Sequence, residues 1–169
     1  MSAAFAPLAT LRALTEGGVA FVVIGGVAGR VHGSPTVTRD VDICHARDRD
    51  NLERLAATLD RLHARLRGVG EDLPFRLDAR TLAAGANFTF VTDAGDLDVL
   101  AVPAGVAGYE DLARRAIPVR LGDITVSVCT LDDLIAMKRA AARPKDLIEV
   151  EVLAALRDEL GGGGTAPIR

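Results

Sequence analysis

The feature that most constrains this chain is a short apolar run that stops at two consecutive glycines and leads, across one brief segment, into an alternating acidic run. Residues Ala20 to Ile24 are mostly β-branched or aromatic, and such a run bounded by glycine reads as a buried strand. Gly25 and Gly26 break it. Val27 to His32 then reads as a short helix closed by Gly33, Ser34 and Pro35. The next strand is Arg39 to Cys44, where Val41 and Ile43 alternate with Asp40 and Asp42. Because strand side chains two apart share a face, about 7 Å apart along the chain, the two aspartates stand side by side opposite an apolar face.

The remaining elements follow from periodicity. Pro7 to Glu16 predicts a helix stopped by Gly17 and Gly18. From Asp50, leucines at 52, 55, 59, 62 and 66 form the narrow apolar stripe of a helix laid on a sheet. Two strand-like runs, Asn87 to Thr92 and Asp96 to Val102, meet through Ala94-Gly95 as a hairpin. Ile117 to Leu121 and Ile124 to Cys129 flank the turn pair Gly122-Asp123. Thr130 followed by Asp133 resembles a capping box at the start of a helix, and Pro144 suits the first turn of another that runs to Leu160. The expected fold is therefore α/β (α+β): a small mixed sheet with helices packed on it and helices at the C-terminal end.

With 169 residues, 49% of them apolar, the chain can bury one good core but not two, so a single domain over residues 1–160 is expected. The four glycines from Gly161 open a segment, 161–169, too poor in apolar residues to order itself, and it is read as a flexible tail. The net charge of −3 and the absence of a basic half exclude a broad electrostatic footprint for nucleic acid, although not a local basic groove. Cys44 and Cys129 each lie in an apolar run, which suits reduced, buried thiols and a cytoplasmic location. Met1 to Leu14 has no basic region ahead of its apolar residues, so no signal peptide is expected, and no segment has the apolar length of a membrane span.

The chemistry is in the acidic strand and what precedes it. Two carboxylates at this spacing can bridge hard divalent cations, which prefer oxygen ligands and are commonly shared with substrate phosphates. The double glycine ending a strand and opening a helix is either a simple tight turn or a place where backbone N–H groups approach a phosphate. The two features support each other: a phosphate cradle, then a metal-binding pair.

At these residues the chain resembles the nucleotidyltransferase superfamily that includes DNA polymerase β, whose motif is Gly-Gly or Gly-Ser, a short helix, and Asp-x-Asp or Asp-x-Glu. Here the motif is Ile24-Gly25-Gly26 and Asp40-Val41-Asp42. Within the superfamily, the stretch VIGGVAGRVHGSPTVTRDVDI is similar to small bacterial enzymes of the AbiEii toxin type, through Thr38, Asp40 and Asp42. The arginine those relatives carry two places before the threonine is Thr36 here, so its phosphate contact is either lost or passed to Arg39.

The resemblance covers most of residues 20 to 155 and implies the rest of the site. A third carboxylate is expected on a later strand, where Asp96 and Asp98 share a face. Asp98, between Leu97 and Val99, is the better placed, because Asp96 follows Gly95 and can serve the turn. Lys138 and Asp146 match the lysine on a helix and the aspartate beyond it. Independently, Leu131, Leu134, Ile135 and Lys138 stand at i, i+3, i+4 and i+7, so the lysine lies on the inward stripe, where it either meets a triphosphate or snorkels to water. Asp146 also has a purely structural role open to it, at the positive end of a helix dipole.

The implied activity is transfer of a nucleoside monophosphate from an NTP, such as ATP, to an acceptor. Two Mg²⁺ ions, or Mn²⁺ in their place, would be held by Asp40, Asp42 and Asp98. Gly25, Gly26, Arg39 and Lys138 would bind the nucleotide, with Asp146 steadying the lysine. In related toxins the acceptor is an RNA such as tRNA, and a neighbouring antitoxin restrains the enzyme. Two alternatives stay open: the same transfer to a small molecule such as an antibiotic, and a scaffold that binds a nucleotide or partner without turnover.

Overall fold

The computed structural model describes residues 4–70 and 72–161. Seven strands form one sheet: β1 (Phe21–Ile24), β2 (Asp40–His45), β3 (Arg65–Leu66), β4 (Asn87–Thr92), β5 (Gly95–Leu100), β6 (Ile117–Leu121) and β7 (Ile124–Val128), ordered β3-β4-β5-β2-β1-β7-β6. The β2/β5 and β1/β7 pairs are parallel and the others antiparallel. Around it lie α1 (Pro7–Glu16), α2 (Gly25–Val31), α3 (Arg49–Arg61), α4 (Ala79–Ala84), α5 (Tyr109–Arg115), α6 (Leu131–Ala141) and α7 (Pro144–Gly161). The mixed α/β reading of the sequence is what the chain adopts. No helix among the described residues is long and apolar enough to cross a membrane.

Alternation decides which face of the sheet is closed. On β2, Val41 and Ile43 are fully buried while Asp40 and Asp42 are half-buried on the other side. β5 repeats the pattern, with Leu97 and Val99 buried and Asp96 and Asp98 opposite. The apolar face packs with Leu11 and Leu14 of α1 and Leu52, Leu55 and Leu59 of α3 in one core. Burial of that many aliphatic side chains, each contributing roughly 1.5–3 kcal/mol, holds the central strands in place. The acidic face is then free to bear a site.

Asn51 secures the ends of the two strands that matter most. Its side chain is completely buried, accepts from the Ala20 N–H at 2.7 Å, and donates to the carbonyls of Ala20 and Ala46 at 3.1 and 2.9 Å. Every polar atom of this interior amide is thereby satisfied.

Three expectations need correction. The leucine stripe predicted a helix through residue 66, but α3 ends at Arg61: His63 takes φ 50° and the Ala64 N–H returns to the Leu59 carbonyl. This reversal frees Arg65 and Leu66 to pair with Val91 and Phe90 at the sheet edge. The capping box at Thr130 is only half formed. Thr130 Oγ1 accepts from the Asp133 N–H at 3.1 Å, but the Asp133 carboxylate is taken by Arg115 of α5. At the β4–β5 hairpin, Thr92 pairs with Gly95, so the turn residues are Asp93-Ala94 rather than Ala94-Gly95. Of the segment expected as a tail, Gly161 is the last residue of α7, and residues 162–169 lie outside the described residues.

Candidate active site

Register brings the acids together. β2 and β5 are neighbours in parallel, with Asp42 opposite Asp98 and Asp40 opposite Asp96. One oxygen from each of Asp40, Asp42 and Asp98 lies within 4.8 Å of the others. Three like charges this close, partly removed from water, disfavour ionisation. Burial, then the charges of Asp40 and Asp98, push Asp42 up to about 7, against the weaker opposing influence of Lys138 and the Gly26 amide. Asp98 is also raised, by burial first, with the Arg67 guanidinium pulling the other way. An all-oxygen, anionic donor set whose members repel one another suits a hard divalent cation, so the residues fit Mg²⁺ or Mn²⁺.

The double glycine closes against this cluster. Gly25 has φ +65°, and a Cβ placed on it would sit well under 3.0 Å from Asp42 Oδ2; one on Gly26 would meet Thr38 Oγ1 at 2.5 Å. Both glycines are therefore required by the protein's own side chains, apart from any ligand. Thr38 in turn donates to Asp40, with Oγ1 3.1 Å from Oδ1, and so orients the first carboxylate of the motif. Thr36, in place of an arginine, shares a hydrogen bond with Ser34 Oγ at 3.1 Å.

Across a cleft of about 770 Å³ from the glycine turn stands a wall built by α6 and α7. Lys138 lies on it, only 12% exposed, with Nζ 2.7 Å from Glu149 Oε2 and 3.7 Å from Asp146 Oδ1. Asp146 is buried and gripped by Arg143, whose Nε and Nη2 lie 2.6 and 3.2 Å from its two oxygens. Burial alone would raise the Asp146 carboxyl, but the Arg143 hydrogen bonds and the two cations hold it below its ordinary value. The cleft is lined by every residue singled out from the sequence: Gly25, Gly26, Arg39, Asp40, Asp42, Asp98, Lys138 and Asp146. Arg39 is exposed at its rim.

Three charged residues escaped the sequence reading. Glu149, not Asp146, is the closer partner of Lys138; it lies one helical turn past Asp146, a spacing that could have suggested it. Arg143 was hidden because it lies between helices. Arg67 follows β3 and reaches over β4 to contact Asp96 and Asp98, 29 and 31 residues away, a pairing that no local pattern announces. It also corrects the role suggested for Asp96: the hairpin turn is closed by Thr92 Oγ1, 2.7 Å from the Gly95 carbonyl, while the Asp96 carboxylate bonds Arg67. Cys44 and Cys129 are free, as expected, and burial pushes both thiols up to about 12, so neither supplies a thiolate.

By sequence, no protein-family model and no curated protein matches the chain. Among solved structures, the fold is similar to the lincosamide antibiotic adenylyltransferase LnuA in its lincomycin-bound form, with a TM-score of 0.59, 13% identity, and coverage of 88% of this chain and 94% of that one. A Thermotoga maritima protein taken to be a nucleotidyltransferase matches with a TM-score of 0.50, 15% identity and 92% of each chain. ANT(2'')-Ia in complex with adenylyl-2''-tobramycin matches with a TM-score of 0.50, 20% identity, 89% of this chain and 94% of that one. The sheet and helices described above are thus those of the nucleotidyltransferase fold.

Proposed function

We propose that this chain is a divalent-metal-dependent nucleotidyltransferase that moves a nucleoside monophosphate from an NTP to a hydroxyl-bearing acceptor. The observation that carries this reading is the convergence of Asp40, Asp42 and Asp98 within 4.8 Å at the floor of a cleft whose opposite wall presents Lys138. Catalysis of this kind is mainly positioning and charge neutralisation. Bound at the three carboxylates, a pair of Mg²⁺ ions would supply Lewis-acid neutralisation of the phosphates. Lys138 would draw the triphosphate against α6, and Arg39 would meet it at the rim. Gly25 and Gly26 would offer their backbone N–H groups to the same phosphates, and Asp146 and Glu149 would hold the lysine in register. The acceptor oxygen forms a bond to the α-phosphorus while the α–β bridging P–O bond breaks and pyrophosphate leaves. The acceptor proton passes to Asp98, the carboxylate to which the family resemblance gives that role.

The acceptor can be read in two ways. The resemblance to AbiEii-type toxins supports an RNA such as tRNA, with an antitoxin as partner and a cytoplasmic setting. The fold likeness to LnuA and ANT(2'')-Ia, together with a cleft of about 770 Å³ and a net charge of −3, favours a small molecule such as an antibiotic. A scaffold without turnover is the weaker reading, because it leaves three mutually repelling carboxylates without a purpose. The test is incubation with each α-labelled NTP and Mg²⁺ or Mn²⁺, against total RNA and against a panel that includes a lincosamide and an aminoglycoside. Label should move to one acceptor class, only with metal, and not with Asp42→Asn. Absence of transfer to both classes from all NTPs would overturn the reading.

A further inference from the structure

Whereas Lys138 stands on α6, Arg67 follows β3, at the edge of the sheet. Its backbone N–H donates to the Thr89 carbonyl at 2.9 Å, which extends the β3–β4 ladder by one residue and fixes where the side chain starts. From there the guanidinium crosses to β5. Nη2 lies 2.9 Å from Asp98 Oδ1 and 3.2 Å from Oδ2, and Nη1 lies 3.1 Å from Asp96 Oδ2. The fork thus occupies both oxygens of the third member of the triad while keeping a second anchor on an aspartate outside it. Arg67 is one-third exposed, so one side of it has room to move.

We propose that Arg67 is the resting counter-ion of Asp98, displaced from it when a divalent cation binds and retained on Asp96, and that it thereby sets the affinity of the site for metal. The inference rests on the metal-dependent reading above. Two cationic groups sharing one carboxylate at hydrogen-bond range repel each other strongly where water is partly excluded. Among the described residues no cation forms an ion pair with Asp40 or Asp42: Asp40 is bonded by Thr38, and Lys138, which acts on Asp42 through its charge alone, is paired with Glu149. A paired cation therefore opposes entry of the ion at one ligand only, and the guanidinium fork, which is built to bind carboxylates two at a time, lets go of one without losing both. Asp96 is the hinge of this exchange, which accounts for an acidic residue next to the triad that does not reach it.

The test is calorimetric titration of Mn²⁺ into the full chain without nucleotide, for the unaltered protein, Arg67→Met and Arg67→Gln, with melting temperatures taken in EDTA and in saturating Mn²⁺. Met keeps the stem's packing, and Gln keeps a hydrogen bond without the charge, so the second variant serves if the first does not fold. Both should bind Mn²⁺ at least tenfold more tightly than the unaltered chain. Both should melt lower in EDTA, where three carboxylates have lost their counter-ion, and close to the unaltered chain in Mn²⁺. Equal or weaker Mn²⁺ affinity, or an equal loss of melting temperature in both conditions, would make Arg67 a strut between β3 and β5 and overturn the proposal. Failure of all three chains to bind Mn²⁺ would instead remove the metal-dependent reading itself, and this inference with it.

Discussion

The Asp42 carboxylate fills the space that a side chain on Gly25 would need: a Cβ there would lie well under 3.0 Å from Asp42 Oδ2, on a residue already at φ +65°. The glycine of the turn and the central acid of the cluster are one packing unit, 17 positions apart in the chain. Gly25→Ala should therefore lose about 2 kcal/mol or more of stability, from left-handed strain plus the displaced carboxylate, and should lose transfer activity as Asp42 moves. Urea denaturation and NTP turnover would show both. Gly70→Ala, with nothing within 4 Å of its Cβ, should change neither.

Asp42 makes the metal-free protein pH-sensitive. In the folded chain it titrates near 7, whereas in the unfolded chain it returns to the ordinary carboxylate range. Between those values the native state holds a proton that the unfolded state has lost, so this group's contribution to stability rises as pH falls from about 8 towards 5. Melting temperatures in EDTA should rise over that interval, and Asp42→Asn should flatten the trend. Because the ion must displace the proton, the stabilisation brought by Mg²⁺ should grow as pH increases. A Mg²⁺ effect independent of pH would show that Asp42 does not bind the ion.

Lys138→Met should lose well over tenfold in kcat/KM, since removing one charge-assisted phosphate contact costs on the order of 2 kcal/mol. The sequence alone suggests that its stability would hold or improve. The ion pair with Glu149 reverses that expectation, because the variant leaves a largely buried carboxylate without its cation. The melting temperature should fall, and Lys138→Met combined with Glu149→Gln should recover stability without recovering turnover. Near-normal turnover in the single variant would take Lys138 out of the site.

The two acids of β5 should separate cleanly. Asp98→Asn should be inactive, since it removes a member of the triad, while Asp96→Asn should remain largely active with altered metal dependence. Measuring turnover against Mg²⁺ concentration distinguishes them, and the reverse ranking would make Asp96 the third ligand.

Local pattern was enough for the part of this protein that depends on neighbours in the chain. The glycine turn, the period-two acids of β2 and β5, the hairpin pairs and the placement of Lys138 on the inward side of α6 all follow from backbone geometry that a few consecutive residues determine. The resemblance supplied by those residues also anticipated the fold. What the tertiary structure alone decided is which charges meet. The sheet order sets β2 beside β5 and so puts Asp42 opposite Asp98. The early end of α3 turns the chain back to place Arg67 over both acids of β5. The packing of α7 on α6 gives Lys138 its partner in Glu149 and buries Asp146 against Arg143. These are pairings between residues far apart in the chain or on separate elements. Charged side chains leave no periodic trace of their partners, because an ion pair needs only that two groups meet in space, whatever path the backbone takes between them.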